Sequence, residues 1–453
     1  MLFRPNRRAF SLGAASILAA CGARSEHAAA EETPNEFPQA QFPLRVEGRH
    51  LVDAAGRPFL LHGDTSWSMI AELTRENTEF YLQDRRARGF NTLLVNLIEP
   101  HFSRNPPLNA YGERPFRNDR DFTTINEAYF AHADWQIRRA GELGFFVMLV
   151  PAYLGYNGGE EGWYRLLLDN GERKLRQYGR LMAERYLDAP NILWMQGGDY
   201  NPPQRWTVTA IVEGMKEVDQ RHLMSAHAGP ETPALAEWAG ANWIDLNTLY
   251  TYRAVTAGTP AEYARGKPFI LIESGYENAP RSAETRRLRT QPFHALLGGA
   301  CGHMYGNADV WHYDGPGLYP PRTSWQEALN SDGARWMTIV RRFFESIPWT
   351  TLRPDPENDF LRTPPGDGQN ASAVARNEGM AVLYFPTPRV AEIELPMLAG
   401  PRIAARWFDP MTGRAHPERI IERPARMAIN PEAELGAAFR NQDWVLVLES
   451  RPA

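Results

Sequence analysis

Eight short apolar runs, rich in residues that favour β-strands, alternate with amphipathic stretches of helical periodicity along residues 59–305. Strands that are apolar on both faces belong to parallel sheets covered by helices, so each run is predicted to be a buried strand. Eight strand and helix units in about 290 residues predict an α/β fold, the (β/α)8 TIM barrel. The runs lie at 59–64, 91–96, 145–150, 191–196, 222–227, 244–247, 268–273 and 300–305.

Stretches of helical periodicity separate these runs, and a last one follows the eighth. The alternative to a barrel is a doubly wound sheet, which would need a glycine-rich phosphate-binding turn after an early strand. Neither G-x-G-x-x-G nor the P-loop pattern G-x-x-x-x-G-K occurs, so the barrel is the prediction. The helical stretches lie at 78–88, 125–143, 172–186, 206–220, 284–297 and about 334–345.

Beyond Pro348 the pattern changes to shorter alternating runs separated by proline and glycine turns. Such runs predict a small all-β sandwich domain. We therefore expect the barrel over 43–350 and the sandwich over 351–453. The alternating runs lie at 380–385, 391–395, 403–408 and 444–448.

Residues 1–21 have the features of an export signal. Arg7 and Arg8 precede an apolar stretch at 12–20 that is shorter than the roughly 20 residues of a membrane span, and Cys21 follows it. The arginine pair resembles a twin-arginine signal, and the residues ending at Cys21 resemble the lipobox of bacterial lipoproteins. They predict export to the periplasm or cell surface and a lipid on the Cys21 sulfur as the only membrane contact. A Sec signal with an incidental cysteine is the alternative.

Composition identifies a tether and narrows the range of partners. Residues 22–42 are rich in Ala, Glu, Pro and Gln and are predicted to be flexible. With 49 basic and 54 acidic residues, the net charge of −5 offers no basic surface for nucleic acid. Two cysteines exclude a disulfide-stapled fold, and if Cys21 carries lipid, Cys301 is a buried free thiol. We expect a monomer.

Polar and aromatic residues cluster where the predicted strands end, which is the working face of a TIM barrel. Carboxylates, amides, histidines and aromatic rings without a lysine argue against Schiff-base chemistry and a phosphate clamp, and favour a neutral, polyhydroxylated ligand without a cofactor. The predicted ligand-contacting residues are His62, Asp64, Trp67, Asn96, Glu99, Tyr153, Gln196, His227, Asn247, Tyr252, Tyr305 and Trp311.

Two acids stand out because glycoside hydrolysis needs two carboxyl groups that flank the bond. Asp199 follows Gly197-Gly198, where a sharp turn would leave its carboxyl at the strand mouth; a turn or helix-capping aspartate is the alternative. Glu273 ends an apolar run, where an acid is costly to bury unless it is paired; a structural salt bridge is the alternative. Glu277 competes for the same role but lies four residues further on, in the expected loop.

A catalytic metal is not predicted. His62 and His227 are possible ligands, but neither H-E-x-x-H nor a Cys/His spacing supports them. The charged groups at the strand ends are instead expected to bind the ligand and to transfer protons.

The strand-end motifs resemble the apiosidase-like glycoside hydrolases over about residues 45–355. The resemblance implies that Asp199 is the acid/base and Glu273 the nucleophile of a retaining enzyme. Ser274-Gly275 departs from the family pattern, in which a proline more usually follows the glutamate. The matching stretches are FLLHGDTSW at 59–67, RARGFN at 86–91, WMQGGD at 194–199, AHAG at 226–229, KPFILIESGYE at 267–277 and GGACGHMYG at 298–306.

The segment AARWFDPMTG at 404–413 is similar to a β-sandwich that often trails such barrels and carries a collagen-binding label. We interpret it as a packing or accessory module. The whole chain is then predicted to be an exported retaining glycoside hydrolase acting on a plant (pectic) or other polysaccharide or oligosaccharide. The alternative is a surface carbohydrate- or matrix-binding lipoprotein whose barrel has lost catalysis.

The catalytic hypothesis sets a geometric requirement. Retention needs carboxyl groups about 5 to 5.5 Å apart, whereas a separation nearer 8 Å would favour inversion and one beyond about 12 Å would exclude the pair. Asp199 should also have a raised pKa, through burial or through the charge of Glu273.

Overall fold

The computed structural model describes residues 37–280, 285–422, 425–436 and 442–452. Residues 37–453 form one compact unit. The predicted signal, including Cys21, lies outside the described residues. None of the described helices combines the length and the apolar content of a membrane span.

The strands, in chain order, are β1 (Arg45–Glu47), β2 (His50–Val52), β3 (Pro58–Phe59), β4 (Leu61–Thr65), β5 (Thr92–Asn96), β6 (Phe146–Val150), β7 (Ile192–Gly197), β8 (Leu223–His227), β9 (Asn247–Tyr250), β10 (Phe269–Glu273), β11 (Gly302–Tyr305), β12 (Arg353–Pro354), β13 (Ala373–Arg376), β14 (Met380–Phe385), β15 (Ala391–Glu394), β16 (Arg402–Phe408), β17 (Arg419–Glu422), β18 (Arg426–Ile429) and β19 (Trp444–Arg451).

The α-helices are α1 (Met69–Glu72), α2 (Arg75–Ala87), α3 (Glu127–Glu142), α4 (Tyr164–Tyr186), α5 (Trp206–Lys216), α6 (Ala234–Glu237), α7 (Val255–Ala264), α8 (Arg286–Leu297), α9 (Trp325–Ala328), α10 (Asp332–Glu345) and α11 (Pro431–Leu435).

The eight predicted runs form one parallel sheet in the order β8-β7-β6-β5-β4-β11-β10-β9, which confirms the TIM-like barrel. At the remaining seam, between β8 and β9, side chains take the place of a regular ladder. The Ser225 hydroxyl donates to the Leu246 carbonyl at 2.6 Å, and the Thr248 hydroxyl donates to the Ala226 carbonyl at 2.8 Å. The barrel is therefore nearly closed.

Side chains alternate between the inside of the barrel and the helical layer, as the two-residue period of a strand requires. Leu94, Leu193 and Ile270 fill the interior. Their neighbours Leu93 and Trp194 pack outward into a second core beneath the helices. A strand-end residue therefore reaches the barrel mouth only if it has the inward parity, or if the strand is irregular.

The C-terminal region is all β, as predicted, and consists of antiparallel sheets. A six-stranded sheet has the order β12-β13-β14-β19-β16-β17, and β15 pairs with β18. On β14, Val382 and Tyr384 pack with the core that underlies the barrel helices, whereas Leu383 and Phe385 pack with Ile393 of β15. The larger sheet is therefore covered by the barrel on one face and by the β15–β18 pair on the other.

The stretch before β1 corrects the predicted tether at its C-terminal end. Phe42 belongs to the interior cluster of the barrel and stacks on Phe146 with ring centroids 6.0 Å apart. The Phe37 ring lies against Gly89, where an added Cβ would be 2.6 Å from the ring. Burial of aromatic side chains of this kind lowers the free energy of the folded state, so residues 37–42 pack on the barrel. Cys301 is a buried free thiol among the described residues, as expected.

Candidate active site

Two carboxylates and one imidazole converge at the C-terminal mouth of the barrel. Asp199, His227 and Glu273 each present an oxygen or nitrogen atom, and these atoms all lie within 4.8 Å of one another. The three residues follow or end β7, β8 and β10. Strands that are separate in sequence therefore supply one compact cluster.

An unusual backbone turn places Asp199. Gly197, Gly198 and Asp199 have φ angles of 81°, 134° and 53°, all in the region that favours glycine. A Cβ at Gly198 would lie 2.3 Å from the Tyr153 ring, so that close approach also requires glycine. The turn presents the Asp199 carboxylate to the Tyr153 hydroxyl, which donates to it at 2.5 Å. The strained φ of Asp199 itself is held by these surroundings.

A β-bulge places Glu273. Ile270 and Ile272 point into the barrel, so regular alternation would turn Glu273 outward. The register between β9 and β10 shifts between Leu271 and Glu273, so that Glu273 lies opposite the inward-facing Tyr250. Bulges of this kind re-aim side chains beside active sites.

Hydrogen bonds orient the Glu273 carboxylate on both of its oxygens. Tyr252 donates its hydroxyl to Oε1 at 2.7 Å, and His227 Nε2 lies 3.1 Å from Oε2. Such bonds to a carboxylate fix its direction and stabilise its charge. Asp199 is less constrained, since its buried Oδ1 has no hydrogen-bond partner among the described residues.

Burial and neighbouring charges shift the pKa values of Asp199 and His227. Burial, and secondarily the charge of Glu273, raises the pKa of Asp199 from 3.8 to about 6. For His227, burial alone would lower the pKa, but the hydrogen bond to Glu273 and the charges of Asp199 and Glu273 outweigh it and raise the pKa. The cluster can therefore hold a proton on Asp199 beside an oriented carboxylate at Glu273.

Aromatic rings form a wall around the cluster. The Trp67 ring lies 5.6 Å from both Tyr153 and His227, and its indole nitrogen donates to the Tyr276 hydroxyl at 3.3 Å. Phe102 joins Tyr153 to Trp311, with centroid distances of 5.9 and 5.0 Å. These faces suit the apolar side of a sugar ring.

The structure thus brings together Asp199, Glu273 and five further predicted residues: Trp67, Tyr153, His227, Tyr252 and Trp311. A sixth, Asn96, ends β5 with the inward parity of Leu94. Its side chain is buried, and neither its amide nitrogen nor its oxygen has a partner among the described residues. A ligand hydroxyl in the mouth could satisfy both atoms.

Five predicted contacts face the helical layer instead, because their parity is outward. On β4, Leu61 belongs to the barrel interior, so His62 and Asp64 point away from it. Met195, Leu246 and Met304 are likewise interior, and the residues that follow them in the chain, Gln196, Asn247 and Tyr305, point outward. These five positions are corrected from ligand contacts to structural ones.

Protein groups hold all five of these side chains. Asp64 shows the strongest case, because its carboxylate is fully buried and accepts from Arg85 Nε at 2.6 Å and from the Tyr81 hydroxyl at 2.8 Å. The other four bonds join His62 Nδ1 to His303 at 2.9 Å, Gln196 Nε2 to the Met215 sulfur at 3.4 Å, Asn247 Nδ2 to Glu262 at 2.6 Å, and the Tyr305 hydroxyl to Glu277.

Glu99, a predicted ligand contact, and Glu277, the rival of Glu273, form no hydrogen bond with either member of the pair. Burial raises the pKa of Glu99 to about 7, although the Ser68 hydroxyl nearby opposes the shift, and Glu99 contacts neither Asp199 nor Glu273 through a hydrogen bond. Glu277 is fully engaged, since it accepts from the Ser331 hydroxyl at 2.7 Å and from the Gly333 amide at 3.0 Å. Neither acid competes with Glu273.

Sequence reasoning left Phe102, Tyr250 and Tyr276 out of the predicted set. Tyr250 ends β9 and lies against His227, with ring centroids 5.0 Å apart. Its position just beyond the predicted run at 244–247 was a usable signal. Phe102 and Tyr276 lie in loops, where no periodicity shows which way a side chain points.

The same three groups at the centre would be the ligands of any metal ion in this site. One histidine and two carboxylates can supply an N,O donor set. In the structure His227 Nε2 instead lies at hydrogen-bonding distance from Glu273, and tyrosine hydroxyls donate to both carboxylates. The arrangement as it stands is suited to proton transfer.

Comparison with solved structures gives the fold. A protein described as a glycoside hydrolase superposes with a TM-score of 0.78 at 22% identity, covering 91% of this chain and 97% of its own. A glycoside hydrolase family 5 protein from Bacteroides vulgatus gives 0.77 at 22% identity, with 90% and 93% covered. An endo-1,4-beta-mannanase from Rhizomucor miehei gives 0.51 at 12% identity, with 67% and 99% covered. The chain therefore has a glycoside-hydrolase-like fold.

Family models match both parts of the chain, whereas no curated protein matches it. The model described as a putative collagen-binding domain of a collagenase matches residues 356–449. The model described as the apiosidase-like catalytic domain matches residues 45–351 and spans the barrel with all of its mouth. Because this match takes in more than half of the chain, the protein belongs to the apiosidase-like family.

Proposed function

We propose that the protein is a retaining glycoside hydrolase that cleaves an O-glycosidic bond in a plant (pectic) or other polysaccharide or oligosaccharide. One observation carries the proposal: oxygens of Asp199 and Glu273 lie within 4.8 Å of each other. So close an approach of two carboxylate oxygens supports the roughly 5 to 5.5 Å spacing of carboxyl groups in retaining enzymes over the roughly 6.5 to 9.5 Å that an inverting enzyme needs to admit water.

The first step forms a glycosyl-enzyme ester. Protonated Asp199 gives its proton to the glycosidic oxygen while Glu273 attacks the anomeric carbon, so that the bond to the leaving group breaks as the bond to Glu273 forms. The raised pKa of Asp199 keeps a share of the protein in the protonated form near neutrality. Tyr252 and His227 hold the attacking carboxylate in one orientation.

In the second step Asp199 acts as a base. Its carboxylate takes a proton from water, the water oxygen attacks the anomeric carbon, and the ester bond to Glu273 breaks. Loss of the Glu273 charge in the intermediate removes one of the causes that raise the pKa of Asp199, which favours its ionised form at this stage. Asp199 therefore alternates between its protonated and ionised forms, while Glu273 alternates between a free carboxylate and an ester, without an external group.

The surroundings favour a sugar as the ligand. Trp67, Tyr153 and Trp311 offer ring faces, and the unpartnered amide of Asn96 offers a donor and an acceptor for a hydroxyl. The structural neighbours described as glycoside hydrolases and as an endo-1,4-beta-mannanase support the class of reaction. The particular sugar is left to experiment, since a fold does not fix specificity.

Product stereochemistry tests the proposal. Purified mature protein is incubated with pectic and other plant or bacterial oligosaccharides, and the first product is followed by proton NMR before mutarotation. We expect the anomeric configuration of the substrate to be retained. An inverted first product would contradict the roles assigned to the pair. Binding without hydrolysis would favour a surface carbohydrate-binding protein instead.

We also propose that the protein is exported and anchored by lipid on Cys21, as the leader sequence predicts. In a bacterial host that processes lipoproteins, the wild type should partition into the membrane fraction. Cys21→Ala should move most of the protein, about tenfold or more by immunoblot, into the soluble fraction, because one or two acyl chains dominate membrane affinity. Equal membrane partitioning of both proteins would contradict the anchor.

A further inference from the structure

Helix α8 connects the candidate active site to the C-terminal sheet. The helix follows the loop that begins after Glu273, and its residues Arg287 and Gln291 are one turn apart and share a face. Arg289 lies between them in sequence, on the opposite face of the helix, since two residues turn the helix by about 200°. The helix therefore presents one face to each neighbour.

On the active-site face, Gln291 forms hydrogen bonds that hold the loop following Glu273. Its side-chain oxygen accepts from the Ser274 hydroxyl and from the Gly275 amide, both at 2.9 Å, and its nitrogen donates to the Gly275 carbonyl at 3.1 Å. A Cβ at Gly275 would lie 3.1 Å from the Gln291 oxygen, so the fit is close. One amide side chain thus fixes both polar groups of the Gly275 backbone.

The same face also holds the tyrosine that orients the nucleophile. Arg287 donates to the Tyr252 carbonyl at 2.5 Å, and the Tyr252 hydroxyl donates to Glu273 at 2.7 Å. Gln369, from the segment that precedes β13, donates to the adjacent Arg253 carbonyl at 2.9 Å. The C-terminal region therefore reaches the Tyr252 loop directly as well as through α8.

On the opposite face, a buried ion pair joins α8 to the sheet. Arg289 donates from Nε to both Asp443 oxygens at 3.1 Å, and the two side chains are 5% and 0% exposed. Tyr384 of β14 donates to Asp443 at 2.9 Å and is bonded to the Thr290 hydroxyl at 3.0 Å. The Phe293 ring stacks on Tyr384 at 4.7 Å.

The Arg289–Asp443 ion pair requires both of its partners. A buried pair of charges keeps its geometry only while both partners are present, because either one alone would be an uncompensated charge in an apolar surrounding. Other contacts of α8 with the C-terminal region surround the ion pair, such as that of His294 Nε2 with the Ala371 carbonyl at 2.8 Å. A displacement of the sheet would therefore be transmitted to Gln291 and to the loop it holds.

We infer that the C-terminal sheet is a positioning element of the active site, acting through α8 to hold the loop after Glu273 and the Tyr252 that orients its carboxylate. Arg289, Asp443 and Gln291 are its positioning residues. Both faces of the sheet are buried within the chain, with Val382 of β14 in the barrel-side core and Leu383 in the core shared with β15, which agrees with an internal role. The catalytic consequence rests on the proposed function; the structural one does not.

Hydrogen exchange of the full-length protein tests the structural part without a substrate. In Asp443→Asn the Arg289 charge loses its partner, and we expect peptides covering 273–278 to exchange at least about threefold faster at their protected amides. The matched control is Glu394→Gln, which breaks the exposed pair with Arg426 in the same C-terminal region and should leave these peptides unchanged. Unchanged exchange in Asp443→Asn would overturn the inference.

Kinetics test the catalytic part once a substrate is in hand. Asp443→Asn and Gln291→Leu should each lower kcat about tenfold with little change in KM, because small displacements of a reacting group are costly. A loosened Glu273 should also shift the alkaline limb of the pH profile to lower pH, which a general loss of stability would not do. Tyr384→Phe, which removes one hydroxyl, provides a milder variant if Asp443→Asn does not fold. Faster exchange with an unchanged pH limb would reject the catalytic part alone, and absence of hydrolysis in the wild type would reject the proposed function alone.

Discussion

Glu273→Gln is expected to lower kcat/KM by about four orders of magnitude, or ~5.5 kcal/mol of transition-state stabilisation. Glutamine has nearly the same shape and can still accept from Tyr252, but it does not attack the anomeric carbon. Loss of the charge also removes the partner that orients His227. Steady-state hydrolysis of the best oligosaccharide substrate measures the effect, and thermal unfolding confirms that the variant is folded.

Two further variants separate the nucleophile from other buried acids. Glu99→Gln alters a buried carboxyl that has no hydrogen bond to either member of the pair and should retain activity within about tenfold. Glu273→Ala opens space for a small anion, and added azide should attack the anomeric carbon in its place and give a glycosyl azide of inverted configuration. Full activity of Glu273→Gln would eliminate the assignment.

Asp199→Asn should lower kcat/KM by a factor of about 10² to 10⁴, the range of a general acid. Asparagine keeps the size of the side chain but has no proton to give to the leaving oxygen. The loss should shrink for substrates whose leaving group is a nitrophenolate, since these need less protonation. An equal loss for good and poor leaving groups would argue against the acid role.

The pKa of Asp199 sets the pH dependence. At about 6 it places the alkaline limb of kcat/KM near pH 6, with activity falling as the proton is lost, and Asp199→Asn should lack this limb. Because the pKa is raised from 3.8, the folded protein binds this proton more tightly than the unfolded chain, and the stability it contributes is lost as the pH rises through 6. Asp199→Asn should therefore gain a few degrees in Tm over the wild type above pH 6, with the gain vanishing below about pH 4.

Apolar periodicity predicts the barrel, and the glycines before Asp199 and the apolar run that ends at Glu273 single out the two carboxylates but not their orientation. Helix α7 escaped detection because Gly258 and Pro260 weaken its pattern. Tertiary packing favours glycine at position 258, since a Cβ there would lie 2.8 Å from the Leu249 side chain. Local propensity does not report such tertiary contacts.

The errors among the predicted ligand contacts have one physical cause. Asp64 and Tyr305 lie near the mouth ends of β4 and β11, and His62 lies earlier in β4. Their outward parity places Asp64 against Arg85, Tyr305 against Glu277 and His62 against His303. Polarity alone does not distinguish a buried ion pair from a ligand contact. Glu273 is the opposite case. A regular strand would turn its side chain outward, and a bulge that the sequence does not predict turns it inward.

The three consecutive positive φ angles at 197–199 affect how the sequences of related proteins should be interpreted. In related chains the acid is the residue one would look for first, yet it reaches the mouth only if both preceding positions lack a side chain. A relative that keeps the aspartate but carries a larger residue in place of Gly198 would drive it into the neighbouring ring of Tyr153. If Asp199 is the acid/base, as proposed, such a chain should be inactive, and the glycine pair marks an active enzyme better than the aspartate alone.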